Sequence, residues 1–400
     1  MIGYETAIKM TLENIQPLDQ EVLPLVDATD RIVAEDLKSF VDSPSVDVSL
    51  KDGYAICSED IINAAPDNPV LLKIKGIITA GLNNEFFLEK GTAIRILSGA
   101  KIPKGANAVV SEEFTSNFGN YISVIKHAEP GRNILKKGSD ISRGDCVISV
   151  GEKLLPSKIG MLAASGYDKI HVFKRPYIGI IATGDEVVAP GKPLPEGKLF
   201  ASNLFTLNAW CRRYGMKTEI DIVSDQPGLL VEKLSFMLET YDAVLTSGGA
   251  WTGERDFIVS VLEQLGWKQI FHRIKIGPGK AVGFGLKDGK PIFILPGGPP
   301  SNLMAFLQIA LPGLMKPAGY KYAGLPRIIV KLSETVVGRQ IDWTHFIFGK
   351  LEEKENTIFF HPLKLVSRLQ SMAQADGIIC IPEGVEKIIT GTFIPAQLLV

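Results

Sequence analysis

The chain has 400 residues, of which 46% are hydrophobic and 22% charged, and its formal net charge is -1. This length predicts two to four domains, and the composition is typical of a globular protein with a buried core. Without a basic excess the chain is not expected to bind nucleic acid, and any affinity for anions has to come from local sites.

The N-terminal segment and the cysteines both indicate a cytoplasmic protein. Residues 1–16 contain neither the apolar core nor the cleavage site of a signal peptide. The longest apolar stretch, residues 303–315, is interrupted by Gln308 and Pro312 and is too short to span a bilayer, so we expect no membrane contact. The four cysteines lie far apart, which predicts isolated thiols in a reducing compartment, without disulfides or a zinc site.

The first half of the chain predicts a helical and extended region around a small β-rich unit. Residues 4–26 are interpreted as one or two helices with a break at a proline, and a polar extended stretch follows. Between residues 70 and 150, short β-rich runs alternate with turns rich in Gly, Asn and Pro, which is typical of a small sheet. Residues 157–167 then predict a helix.

The second half predicts a parallel sheet followed by another β-rich region. The predicted strands are residues 177–183, 217–223, 242–249 and 291–298. The predicted helices are residues 203–215, 226–240, 254–266 and 301–315. Strands that alternate with helices in this way indicate βαβ units, with helices on both faces of the sheet. After residue 326 the pattern favours a small C-terminal β-barrel or sheet.

Three glycine-rich loops follow predicted strands of the parallel sheet: residues 182–186 (ATGDE), 246–256 (TSGGAWTGERD) and 295–302 (LPGGPPSN). Ligands of such sheets bind at the carboxyl ends of the strands. Glycines allow backbone N–H groups to approach an anion, and the following helix N-terminus adds partial positive charge. Ser301 is a candidate N-cap for the last helix. One such loop alone is more typical of a plain turn, but three at one sheet edge favour a ligand site.

Carboxylates at the same edge predict a divalent metal. Asp185, Glu186 and Asp256 could hold Mg²⁺, which bridges acidic side chains and phosphate oxygens. The residues therefore predict a site for a phosphate-bearing ligand with Mg²⁺.

Other segments leave their alternatives open. Lys280, in residues 276–285 (IGPGKAVGFG), could contact a phosphate or be an exposed hairpin lysine. Trp251 could stack on a flat ring or lie in a core or interface. Residues 51–55 (KDGYA) predict a hairpin turn. Since no two of the five histidines have metal-ligand spacing, we interpret all five as structural or surface residues.

Nine segments in chain order resemble the MoeA/gephyrin E-domain family. They are LVDATDRIVAEDLKS (25–39), SLKDGYA (49–55), RILSGAKIPKGANAVV (95–110), PGRNILKKGSDI (130–141), TGDE (183–186), TSGGAWTGERD (246–256), GPGKAVGFG (277–285), LPGGPPSN (295–302) and SRLQSMAQADGIICIPE (367–383).

The resemblance implies a multidomain α/β protein with four domains, which assembles as an elongated homodimer. The expected domains are a discontinuous linking and dimerisation domain (1–40 and 137–173), a small β-rich domain (41–136), a molybdopterin-binding parallel α/β domain (174–324) and a C-terminal β-barrel-like domain (325–400).

The chemistry that the resemblance implies is insertion of molybdate into adenylated molybdopterin, followed by Mg²⁺-assisted hydrolysis that releases AMP. Asp52 would act from the small-domain side of the cleft, and Asp185, Glu186 and Asp256 would line its metal side. The residues expected to hold the pterin, the nucleotide phosphate or the oxyanion are Thr183, Gly184, Ser247, Gly248, Gly249, Lys280, Pro296, Gly297 and Ser301. A molybdopterin adenylyltransferase and apo-molybdoenzymes are the implied protein partners.

The sequence departs from the family pattern at several of these motifs. The departures are Val48 for Asn, Lys51 for Met, Ser98 for Thr, Ser139 for Glu, Trp251 for a small residue, Gly277 for Lys, Ala281 for Pro and Gly298 for Asn. Three hypotheses follow: an active molybdenum or tungsten insertase, a non-catalytic paralogue that binds the pterin or acts as a scaffold, and a molybdopterin adenylyltransferase.

Overall fold

The structure, a computed structural model, describes residues 1–81, 86–248, 257–364 and 368–399. It has a multidomain α/β fold, and its described residues form three sheets of six or seven strands. One is a mixed sheet with helices packed against it, one is the open sheet of the small β-rich region, and one contains a closed barrel. No helix in these ranges is long and apolar enough to cross a membrane.

The α/β region is a six-stranded sheet with helices packed on both of its faces. In spatial order its strands are Lys217–Val223, Tyr177–Thr183, Ala243–Ser247, Lys290–Leu295, Gly283–Lys287 and Lys268–His272. The first four are mutually parallel, as the sequence predicts. The last two add an antiparallel edge that the βαβ pattern does not predict.

The helices of this region follow the predicted segments. They are Ser202–Arg213, Pro227–Thr240, Phe257–Gln264, Pro299–Ala305 and Leu311–Met315, with a π-helical turn at Phe306–Ala310 between the last two. Successive side chains of a strand face opposite ways. Accordingly, Ile180 belongs to the core that contains Leu207, whereas Ile181 belongs to the core that contains Leu234.

The small β-rich sheet has the spatial order Ala108–Ser111, Gly53–Ile56, Thr92–Ile96, Val70–Ile78, Tyr121–Val124 and Thr115–Phe118. The prediction of a hairpin turn at residues 51–55 is wrong. Val48–Ser49 pairs with Ile134–Leu135 and not with Gly53–Ile56, because the chain crosses from a two-stranded ribbon into the larger sheet at this point.

The prediction of helix throughout residues 4–26 is also wrong in its second half. Tyr4–Glu13 is a helix, but Gln20–Pro24 is a strand that pairs antiparallel with Lys169–Phe173. Its exposure alternates residue by residue, which is the period of a strand and not of a helix.

The remaining elements are short. The helices are Pro156–Ala164 and Arg368–Gln374, with 3₁₀ turns at Leu25–Asp27, Ser58–Ile61 and Glu112–Phe114. The two-stranded ribbons are Leu37–Lys38 with Cys146–Ile148, Val187–Val188 with Leu199–Phe200, and Val336–Val337 with Lys387–Ile388.

The barrel contains five strands: Thr344–Lys354, Thr357–Pro362, Arg327–Leu332, Phe393–Leu398 and Gly377–Ile381. The last of these pairs with the first and closes the sheet. Two further strands extend it: Ile274–Gly277 pairs parallel with Thr344–Lys354, and Ile2–Gly3 pairs with Ile274–Gly277. The barrel sheet therefore incorporates a strand from the middle of the α/β region.

All four cysteines are free thiols. Burial raises the pKa of the Cys211 thiol to about 12 and that of the Cys380 thiol to about 11. These two thiols stay protonated at neutral pH and are therefore unreactive.

Close packing at Gly179 gives a stability prediction. A Cβ at this position would overlap the Tyr241 ring and lie 2.6 Å from the Met237 methyl carbon. We expect Gly179→Ala to destabilise the fold by about 1–3 kcal/mol, because overpacking forces the helix Pro227–Thr240 away from the sheet. Chemical denaturation measures the change.

Gly160 provides the matched control, since a Cβ there meets no atom within 4 Å and the residue lies in the helix Pro156–Ala164. Gly160→Ala should leave stability unchanged or raise it by about 0.5–1 kcal/mol. Equal stability of Gly179→Ala and the native chain would contradict the packing described.

Candidate active site

The loops at the carboxyl edge of the parallel sheet line a cavity of about 1200 Å³. The three strands that lead to them are neighbours, because Ala182 is paired with Ser247 and Ser247 with Leu295. The first residues beyond each strand therefore emerge side by side, as expected for ligand sites in sheets of this kind.

Eight residues predicted from the sequence lie together in the cavity wall. They are Thr183, Gly184, Glu186, Gly248, Lys280, Pro296, Gly297 and Ser301. Predicted residues Gly249 and Asp256, together with Trp251, lie outside the described residues.

Two of the glycines are required by the shape of the wall. Gly184 and Gly248 have φ values of 138° and 100°, in a region that other residues rarely adopt. A Cβ at Gly248 would lie 2.8 Å from the Thr183 carbonyl oxygen, and one at Gly184 would lie 2.5 Å from a Glu186 carboxylate oxygen. The lack of a side chain at Gly248 lets its loop approach the loop that begins at Thr183.

A buried amide joins two of the strand ends. The Asn302 side chain is 1% exposed and donates hydrogen bonds to Ser247 Oγ (3.0 Å) and to the Pro296 carbonyl (2.9 Å). Ser247, predicted to contact a ligand, does not line the cavity and binds Asn302 instead. The sequence does not mark Asn302 for this role, because its two partners lie at different strand ends.

The last helix begins two residues earlier than predicted. Its N-cap is Gly298 and its first residue is Pro299, so the prediction that Ser301 is the N-cap is wrong. Proline is favoured at the first helical position, since it lacks the N–H that would be left unpaired there. Ser301 lies in the first turn, where it lines the cavity.

The carboxylates of the site differ in their surroundings. Glu186 and Asp225 line the cavity. Asp185 does not, and its Oδ1 accepts a hydrogen bond from the backbone N–H of Asp225 at 3.2 Å. Within the described part of the chain, no three His, Cys, Asp or Glu side chains are grouped to hold a metal ion. A cation here would need oxygen ligands from a bound phosphate.

Asp52 lies elsewhere in the structure. It precedes the strand Gly53–Ile56 of the small sheet, and its Oδ1 accepts a hydrogen bond from the Ser98 backbone N–H at 2.6 Å. None of the described residues of this sheet lines the cavity. Among the described residues, one chain therefore does not bring Asp52 to the predicted residues that line the cavity.

The opposite wall of the cavity comes from the barrel, which no sequence motif indicates. It contributes several polar and aromatic side chains, namely Arg339, Gln340, Trp343, His345 and Lys364. They reach the site because Gly277 pairs with His345 in the strand ladder that joins the barrel to the α/β region. His345 is buried in this wall and its Nε2 contacts the Gln340 backbone, in line with the interpretation of the histidines as structural or surface residues.

The charges that line the cavity are mixed. Lys280, Arg339 and Lys364 are cationic, and Glu186 and Asp225 are anionic. Cations attract phosphate and other oxyanions, whereas carboxylates need a bridging metal ion beside the same groups. The arrangement suits an anionic ligand bound together with a divalent cation.

Comparison with known proteins agrees with this architecture. The profile "MoeA N-terminal region (domain I and II)" matches residues 2–166, and the profile "Probable molybdopterin binding domain" matches residues 179–316. A molybdopterin biosynthesis MoeA protein from Pyrococcus horikoshii has a crystal structure that superposes with a TM-score of 0.82 at 32% identity, covering 100% of this chain and 99% of that one.

Two relatives carry an activity in their names. The molybdopterin molybdenumtransferase of Haemophilus influenzae is 32% identical over 80% of this chain and 79% of its own. That of Nostoc is 30% identical over 93% of this chain and 87% of its own. This chain belongs to the MoeA family of molybdopterin biosynthesis proteins, and the resemblance found in the sequence is confirmed.

The Asn302 amide gives a prediction for the scaffold of the site. We expect Asn302→Ala to lower the free energy of unfolding by about 1–3 kcal/mol, because the Pro296 carbonyl and the Ser247 hydroxyl would be left buried without this donor. Chemical denaturation measures the loss.

Asn203 is the matched control, since its amide donates to the Gly297 carbonyl at 2.8 Å at an exposed position where water can replace it. Asn203→Ala should change stability by less than about 0.5 kcal/mol. Equal losses in the two variants would show that the buried amide has no special role.

Proposed function

We propose that this chain is a molybdopterin molybdenumtransferase, which inserts molybdate into adenylated molybdopterin and releases AMP. The observation that carries the proposal is the cavity at the carboxyl edge of the parallel sheet. It combines glycine loops, two carboxylates and three cations in a member of the MoeA family. The names of the relatives support the same activity.

The reaction has to bring two oxyanions together. Molybdate and the phosphates of the substrate repel each other, and fixed cations and N–H groups reduce that repulsion at low cost in reorganisation. In this proposal Lys280 binds an oxyanion, and the loops at Gly184, Gly248 and Gly297 offer backbone N–H groups to phosphate. Water then attacks a phosphorus of the phosphoanhydride: a new P–O bond forms, the P–O bond to the bridging oxygen breaks, and AMP and the pterin phosphate separate.

We propose that Mg²⁺ takes part. Glu186 and Asp225 would hold it, because Mg²⁺ commonly takes one or two protein carboxylates and completes its six ligands with phosphate oxygens and water. This number of carboxylates matches the cavity, which Glu186 and Asp225 line. Among the described side chains, no cluster of three or more His, Cys, Asp or Glu residues could hold the ion by itself. When bound, the ion supplies positive charge beside the phosphates. Asp185 and Asp256 remain candidates for the same role.

We also propose that the active protein is a homodimer in which Asp52 of one copy completes the cavity of the other. The support is geometric: the barrel and the α/β region surround this cavity, and the described residues of the small sheet do not reach it within their own chain. A two-fold dimer would form two equivalent sites. Transfer of the pterin to and from an adenylyltransferase or apo-molybdoenzymes belongs to the same proposal.

The direct test is molybdate-dependent release of AMP from adenylated molybdopterin by the purified protein with Mg²⁺. We expect Lys280→Gln and Glu186→Gln each to lower the rate by about 10²- to 10³-fold, the usual effect of removing one group that stabilises developing charge. Lys9→Gln, on the exposed side of the N-terminal helix, is the control and should retain the native rate. Tight pterin binding without release, under molybdate or tungstate, would instead establish a non-catalytic paralogue.

Mixing inactive variants tests the shared site. Asp52→Ala and Lys280→Gln should each have at most about a hundredth of the native activity alone. After joint refolding or co-expression at equal amounts, half of the dimers are mixed and each holds one intact site, so about a quarter of native activity should return. Absence of recovery, with mixed dimers shown by mass spectrometry, would mean that Asp52 does not act across the interface.

A further inference from the structure

The barrel wall of the cavity contains a loop whose position is fixed by several contacts. This loop, residues 338–343, is called the wall loop below. The Gly338 N–H donates to the Glu386 carbonyl at 2.8 Å. The Asp342 carboxylate pairs with Lys275 at 3.2 Å, which ties the wall loop to the strand Ile274–Gly277.

A buried histidine holds the middle of the wall loop. His345 Nε2 lies 3.1 Å from the backbone nitrogen of Gln340 and 3.0 Å from its carbonyl oxygen. The backbone N–H of Trp343 donates to the Gln340 carbonyl at 3.2 Å and closes a turn. The backbone that carries Trp343 is therefore held at both ends and in the middle.

The Nδ1 side of the His345 ring faces the strand Ile274–Gly277. A Cβ on Gly277 would lie 2.9 Å from His345 Nδ1, closer than side chains normally approach. The strand Ile274–Gly277 can therefore lie flush against the histidine only because residue 277 is glycine. The ladder then keeps Trp343 close to the turn that leads to Lys280.

Trp343 lines the cavity and is half-buried, so part of its ring faces the space that a ligand would fill. The Lys280 ammonium group lies 6.0 Å from the centre of the indole ring. An aromatic face beside a cation suits a ligand in which a flat ring and an anionic group are joined. The ring stacks on the indole, and the anion meets the lysine.

We propose that Trp343 is the surface on which a planar nitrogen heterocycle of the substrate stacks, with Lys280 contacting the phosphate attached to it. The inference rests on the proposed function, because it takes the cavity to be the substrate site. Two parts of an adenylated pterin have this chemistry, namely the adenine and the pterin ring, and separate probes distinguish them.

The test is calorimetric titration of the full-length native protein, Trp343→Ala and Trp343→Phe with three probes in the presence of Mg²⁺. The probes are AMP, ribose 5-phosphate and 6-hydroxymethylpterin. Loss of a stacking surface weakens binding of a ring by about tenfold. Trp343→Ala should therefore raise the dissociation constant of AMP, of 6-hydroxymethylpterin or of both by this factor. Ribose 5-phosphate, which has the phosphate but no flat ring, should bind the native protein and both variants equally.

Trp343→Phe should restore most of the lost affinity, since phenylalanine keeps an aromatic face. Tyr322→Ala, which removes an exposed aromatic ring that does not line the cavity, should bind all three probes as the native protein does. If only AMP binding is weakened in Trp343→Ala, the ring that stacks is adenine. If only binding of 6-hydroxymethylpterin is weakened, the ring is the pterin.

Three results would overturn the proposal: unchanged ring binding in Trp343→Ala, an equal loss for ribose 5-phosphate, or no ring binding by the native protein. If Trp343→Ala does not fold, Trp343→Leu with a native melting temperature replaces it. The activity assay separates this proposal from the proposed function. Native AMP release with unchanged ring binding in Trp343→Ala contradicts only the stacking surface, whereas stacking on Trp343 without AMP release contradicts only the transferase.

Discussion

The candidate site depends on one strand pairing between two parts of the fold. Ile274–Gly277 leaves the α/β region and pairs parallel with the first barrel strand, Thr344–Lys354. Backbone hydrogen bonds of such a ladder fix both separation and register, and a shift of one residue would reverse which side chains face the cavity. With Gly277 opposite His345, the barrel forms a wall facing the glycine loops of the sheet. Without this pairing those loops would form an open edge.

The two walls offer different chemistry to one ligand. The sheet edge supplies glycine backbone, hydroxyl groups and the carboxylates Glu186 and Asp225, which suit phosphates with a divalent cation. The barrel supplies the aromatic ring of Trp343 and the cations Arg339 and Lys364. A ligand that joins phosphates to flat rings matches this division. The proposed substrate has that composition. Because Asp52 does not reach the cavity of its own chain, we propose that a second copy of the chain supplies it.

Local sequence patterns predicted most of the parallel sheet and its glycine loops. The periods of strands and helices, and the preference of glycine for turns, depend only on residues close in the sequence. They failed where tertiary context decides the outcome. Gln20–Pro24 is a strand because Lys169–Phe173 lies beside it. No local signal marks Trp343 or His345, since only the pairing of distant strands brings them to the cavity. Asn302 was overlooked because its partners, Ser247 and Pro296, lie on different strand ends.

Hydrogen–deuterium exchange of the native protein with AMP, Mg²⁺ and molybdate tests most directly whether the two walls enclose one site. Bound ligand slows exchange of the amides that it covers or orders. If both walls bind one ligand, exchange slows at residues 183–187, at residues 296–302 and at the wall loop in the same titration, with one apparent affinity. Protection at the sheet edge alone, with the wall loop unchanged at saturation, would contradict a shared cavity and leave the barrel without a part in substrate binding.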